Sequence, residues 1–98
     1  MTSKQRAFLK SLAMTMTPCL NVGKECTTPG ITEAVIEAIE ANELIKIGVL
    51  KNCADDPKEI ASILAERAHA EVVQVIGKKI VLYKPAKKPE DRKIVLPR

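Results

Sequence analysis

Apolar residues recur at helical spacing near the start of the chain. Phe8, Leu9, Leu12, Ala13 and Met16 form one stripe, which predicts a helix over 3–17 capped by Ser3. Lys4, Arg6 and Lys10 lie off that stripe, with Arg6 and Lys10 one turn apart on a common face. Pro18 stops the helix, and Cys19 to Val22 is a short candidate strand. Thr28 is a good N-cap with Pro29 at the first helical position. The helix that follows, 29–42, turns Ile31, Val35, Ala38 and Ile39 inward and Glu33, Glu37 and Glu40 outward. From Leu44 to Leu50 the period changes to two. Ile45, Ile47 and Val49 alternate with Lys46 and Gly48, the mark of a strand with one face partly open. Asp56-Pro57-Lys58-Glu59 opens a third helix, 57–69, that buries Ile60, Ile63, Leu64 and Ala68. Val72 to Ile76 and Ile80 to Tyr83 are strands about Gly77-Lys78, and glycine in first place suits a type II′ hairpin.

The order is therefore a helix followed by β-α-β-α-β-β. Two strand–helix–strand crossovers predict an α/β fold with helices packed on a small four-stranded mixed sheet. Residues 1–84 form one domain, and 85–98 form a basic tail. In that tail Ile94-Val95-Leu96 interrupts a charged stretch and is placed either on the core or on another chain.

Composition narrows the function. Ninety-eight residues bury a core without metals or disulfides. The three cysteines, Cys19, Cys26 and Cys53, are odd in number and widely spaced. They are expected to be reduced thiols, with Cys19 and Cys53 as small core residues. One histidine, His69, at a helix end supports neither a zinc site nor a catalytic set, and no cofactor is implied. Asp55-Asp56 is explained by capping rather than by catalysis. No run is long and apolar enough to span a membrane, and no signal-peptide core is seen, so a cytoplasmic protein is expected.

Charge is segregated. Residues 1–24 hold four bases and no acid, 25–76 hold ten acids against four bases, and 77–98 hold eight bases against two acids. Basic ends around an acidic middle point to a polyanion approached from one side. Asn21-Val22-Gly23-Lys24-Glu25-Cys26 runs from a strand toward a helix start, where backbone amides, the helix dipole and Lys24 favour an anion. No GxxxxGK[ST] phosphate loop is present, so this is binding without chemistry. Lys78, Lys79 and Lys84, with Lys87 and Lys88, extend the positive surface. Such a surface contacts phosphates with little sequence choice. Scarce aromatics argue against a stacking sheet, and Tyr83 reads as a half-buried strand residue.

Several motifs in order resemble the bacterial YhbY family of stand-alone CRM domains. They are Ser3-Lys4-Gln5-Arg6, Leu9 to Ala13, Val22 to Glu25, Glu43 to Ile47, Asn52 to Glu59, and Glu71 to Tyr83. The likeness covers about residues 3–84. It implies a fold like the C-terminal domain of translation initiation factor 3, RNA binding, association with pre-50S ribosomal particles, and a role in large-subunit assembly. The family's GxxG loop matches at Gly23, Lys24 and Glu25, but its fourth position is Cys26. The expected RNA-contacting set is Lys4, Arg6, Lys10, Gly23, Lys24, Glu25, Cys26, Gly77, Lys78, Lys79 and Lys84. The protein is expected to be a monomer without catalytic residues. The rival reading is a protein-interaction module that docks on a ribosomal protein or assembly GTPase through its acidic helix or its tail.

Overall fold

A computed structural model describes residues 2–23, 28–51, 53, 55–86 and 94. Its first helix, α1 (Ser3–Met14), begins from Thr2 rather than Ser3. The Thr2 hydroxyl accepts from the Gln5 N–H and the Gln5 side chain accepts from the Thr2 N–H, both at 3.1 Å. This capping box satisfies two donors at the helix entrance, one more than a lone Ser3 would reach. α1 stops three residues before the expected end. Helical angles are disfavoured just before Pro18. In addition, Lys46 Nζ donates to the carbonyls of Ala13 and Met16 at 3.2 and 3.3 Å, satisfying acceptors that a longer helix would have used itself.

The remaining elements are β1 (Leu20–Val22), α2 (Pro29–Asn42), β2 (Leu44–Val49), α3 (Pro57–Ala68), β3 (Glu71–Ile76) and β4 (Lys79–Tyr83). The expected α/β order is thus the observed one. The sheet runs β1-β2-β4-β3, with β1 parallel to β2 and β4 antiparallel to both its neighbours. The crossover through α3 therefore skips one position, and the hairpin returns β4 into that gap.

Period-two alternation divides the core between the two faces of the sheet. On one face Val35 and Ile39 of α2 and Ile60 and Leu64 of α3 pack on Ile45, Ile47, Ile80 and Leu82. On the other, Leu9 and Ala13 of α1 pack on Leu44, Val73, Val81 and Tyr83. Each fully buried Leu or Ile contributes about 1.5–3 kcal/mol of burial, so both layers are needed for a chain of this size. Ile94 packs at the rim of the α1 layer, which places this tail residue on its own core.

Several side chains depart from expectation, among them Leu12 of the α1 stripe, which is exposed. Ile63 is 37% exposed, because Ala61 and Ala65 let α3 sit close to its neighbours and take the inward positions. Tyr83 is fully buried rather than half-buried, since α1 covers it. Cys19 is exposed, just before the edge strand β1, and is a free thiol. Cys53 is disulfide-bonded, which overturns the expectation of three reduced thiols.

Candidate nucleic-acid interface

Strand direction gathers the candidate residues. Because β1 and β2 are parallel, Val22 and Val49 finish side by side, and the Leu50 N–H donates to the Val22 carbonyl at 2.8 Å. Because β4 is antiparallel to β2, it starts where β2 finishes, and the Val49 N–H donates to the Lys78 carbonyl at 2.7 Å. Gly23, Lys51 and the Gly77-Lys78 turn thus share one end of the sheet. Gly77 has φ +54°, whereas Lys78 is not in the left-handed region. Only a II′ turn has that combination, as expected for this loop.

Helix polarity favours anions at the same end. α2 starts there, with Thr28 Oγ1 accepting from the Ile31 N–H at 3.4 Å and no acid in its first turn. Its positive dipole end is therefore not neutralised by its own side chains. α3 also starts there, but Asp56 Oδ1 accepts from the Lys58 N–H at 3.0 Å and Glu59 adds a second carboxylate. The acids belong to the α2–α3 layer. On the α1 face of this end, the charged strand residues are Lys46 and Lys79, by alternation from the buried Ile47 and Ile80.

Gly23, Gly77, Lys78 and Lys79 are brought together, and both lysines are exposed. Lys24, Glu25 and Cys26 lie outside the described residues. Lys4 is exposed near the start of α1, and Lys10 is half-buried one turn beyond Arg6. Arg6 has a different occupation. Its Nη1 donates to the carbonyls of Val72 and Val73, at 2.6 and 3.1 Å, where a bulge shifts the β3–β4 register. A bulge leaves backbone groups unpaired, and this guanidinium satisfies them. Lys84 lies at the opposite end of β4, 3.7 Å from Glu40 Oε1. These two cations are thus separated from the hairpin cluster by the length of a strand.

Lys46 was the residue that sequence reasoning undervalued. Its place on the polar side of an otherwise apolar strand was the available signal. Another is Glu43, buried at 2% exposure and held at φ +64°. Its carbonyl accepts from the Lys84 N–H at 2.8 Å and its carboxylate from the Ala86 N–H at 3.4 Å, which ties down the exit from β4. His69 caps α3 in the left-handed conformation, its N–H donating to the Glu66 carbonyl at 3.3 Å. Among the described residues no three His, Cys, Asp or Glu side chains are grouped to hold a metal ion. No described helix is long and apolar enough to cross a membrane.

Comparison with known proteins places this geometry among relatives. The sequence profile of the CRS1 / YhbY (CRM) domain matches residues 1–84. The chain is 42% identical over 97 residues to the Bacillus subtilis protein named "Probable RNA-binding protein YqeI", with 99% of each covered. It is 34% identical to a Haemophilus influenzae protein named "RNA-binding protein", over 100% of this chain and 96% of that one. The solution structure of a Staphylococcus aureus protein described as "a putative RNA binding protein" superposes with a TM-score of 0.81 at 39% identity, covering 99% of both chains.

Proposed function

Because this chain belongs to the CRS1 / YhbY (CRM) domain family, we propose that it binds structured ribosomal RNA through the basic end of its sheet. The RNA belongs to precursors of the large ribosomal subunit, and the protein assists their assembly in the cytoplasm as a monomer. It binds without catalysis. The observation that carries this reading is the convergence of Gly23, the Gly77-Lys78 turn, Lys79 and the acid-free start of α2 at one end of the sheet. Backbone amides and lysines there suit phosphate oxygens, and the glycines allow close approach. Lys24 joins this set by its position one residue after Gly23.

The test is a titration of the full chain with ribosomal RNA from large-subunit precursors, against duplex DNA, across a range of salt. Lys78→Ala, Lys79→Ala and Lys24→Ala are each expected to weaken binding and to lower the salt slope by roughly 0.7–0.9. Equal affinity for the two nucleic acids, or unchanged slopes in all three variants, would refute it. Sedimentation with ribosomal particles checks the assembly step. The acidic outer face of α2 is the surface a protein partner would use; Ile94 is already committed to the core.

A further inference from the structure

α1 covers only part of its face of the sheet. Leu9 and Ala13 sit over Leu44, Val81 and Tyr83, but the helix ends at Met14. By alternation and register, Gly48, Asn21, Lys79 and Ile76 continue the same face beyond that end. What remains is a groove of about 210 Å³, bounded by Met14, Ile76, Gln74, Lys46 and Lys79. Met14 and Ile76 are 80% and 59% exposed, more than any other large apolar side chain among the described residues. Both line this groove. Beside Lys79, Gly48 lets Asn21 pack close: a Cβ there would lie 2.6 Å from Asn21 Oδ1 and 3.5 Å from Lys79 Nζ.

The chemistry of the rim selects the occupant. Its lining combines two exposed apolar side chains, an amide that both donates and accepts, and two lysines. An apolar helix of a protein partner gains nothing from Lys46 and Lys79. A nucleotide uses the apolar pair, the amide and Lys79, because its base is flat and apolar on its faces, polar at its edge and attached to an anion; Lys46 Nζ is already held by the Ala13 and Met16 carbonyls and adds only its field. The aromatic that usually supplies a stacking platform is missing here, since Tyr83 is buried under α1. The polarizable thioether of Met14 is the adaptable substitute.

We propose that this groove takes one unpaired nucleotide of the bound RNA, with the base between Met14 and Ile76, its edge at Gln74 and its phosphate at Lys79. The proposal rests on the RNA-binding reading above and adds a base-contacting subsite to a surface otherwise confined to phosphates.

The test uses the full chain and three RNA hairpins: one with a single bulged nucleotide, one with an abasic bulge, and one without a bulge. Fluorescence anisotropy at fixed salt is expected to show roughly five- to tenfold tighter binding to the bulged base, the lower end of what stacking supplies. Met14→Ala and Ile76→Ser are expected to abolish that preference, leaving the salt slope and the urea midpoint unchanged. Lys78→Ala is expected to do the reverse, lowering the slope and keeping the preference. Equal binding of the bulged and abasic hairpins by the unmodified protein overturns the subsite while leaving general RNA binding intact. Failure to bind any of the hairpins or ribosomal RNA overturns both readings. A preference that survives in both groove variants, with loss of sedimentation on ribosomal particles, overturns the subsite in favour of a protein partner.

Discussion

Replacing Arg6 separates two roles that the sequence alone cannot distinguish. As a phosphate contact, Arg6→Ala would lower the salt slope of RNA binding by roughly 0.7–0.9 and leave stability unchanged. As a clamp on the β3 bulge, it removes a charged donor shared by the Val72 and Val73 carbonyls at 2.6 and 3.1 Å. A hydrogen bond to a charged group is worth about 1.5–3 kcal/mol, and a carbonyl left unsatisfied costs about 1–3 kcal/mol. Both bonds come from one nitrogen in a part-buried site, so they do not add fully, and a loss of about 2 kcal/mol is expected. For a domain of this length that is a fall of roughly 8–15 °C in Tm, or about 1 M in the urea midpoint. Arg6→Lys retains the charge but reaches with a single point donor, and should fall between the two. The assay is urea unfolding followed by far-UV circular dichroism, run beside an RNA titration well below the midpoint. An unchanged midpoint with a reduced salt slope would falsify the clamp and restore Arg6 to the RNA surface.

Three further outcomes follow from the same geometry. Gly77→Val should cost about 1–2 kcal/mol, because φ +54° is strained for a β-branched residue, and the loss should appear as a lower urea midpoint. Glu43→Gly should be more stable than Glu43→Ala by about 0.5–1 kcal/mol: both lose the carboxylate, but only glycine is at ease at φ +64°. The reverse ranking in thermal melts would show that this backbone strain is not felt. Reducing the disulfide at Cys53 should lower Tm, with a loss of about 2–4 kcal/mol, whereas alkylating the exposed Cys19 alone should not. Peptide mapping without reductant should then find the Cys53 peptide cross-linked, and reductant should release it.

The parts of the fold that were legible in the sequence are those fixed by neighbours along the chain. Thr28-Pro29 and Asp56-Pro57 set the starts of α2 and α3, and period-two alternation set the inward faces of β2 and β4. What could not be read depends on distant partners. The early end of α1 needs Lys46, thirty-odd residues away, to satisfy its last carbonyls. The role of Arg6 needs a bulge that no pattern in β3 announces, since Val72, Val73 and Val75 read as an ordinary apolar strand. In the candidate site the glycine and lysines of the turns were visible, because turn chemistry is local. That they share one positive surface was also expected, but which residues stand side by side was not, because that follows from the registers of β1 with β2 and of β2 with β4. The open groove beside Met14 was hidden for the same reason: it exists only because a helix stops short over a sheet.

The insertion of β4 between β2 and β3 also governs how the chain reaches this state. Of the four strands, the one made last occupies an interior position. Until Tyr83 has been synthesised, β2 presents a bare edge of apolar residues with nothing to pair on that side. The β1-α2-β2 portion can assemble early, but its sheet cannot close, and a vacant edge is an invitation to pair with another chain. Loop closure over the whole of α3 must precede the central pairing, which raises contact order and slows the step that completes the sheet. Pulse-labelled hydrogen exchange should therefore find β2 amides protected together with those of β4, late and in one phase, rather than with β1.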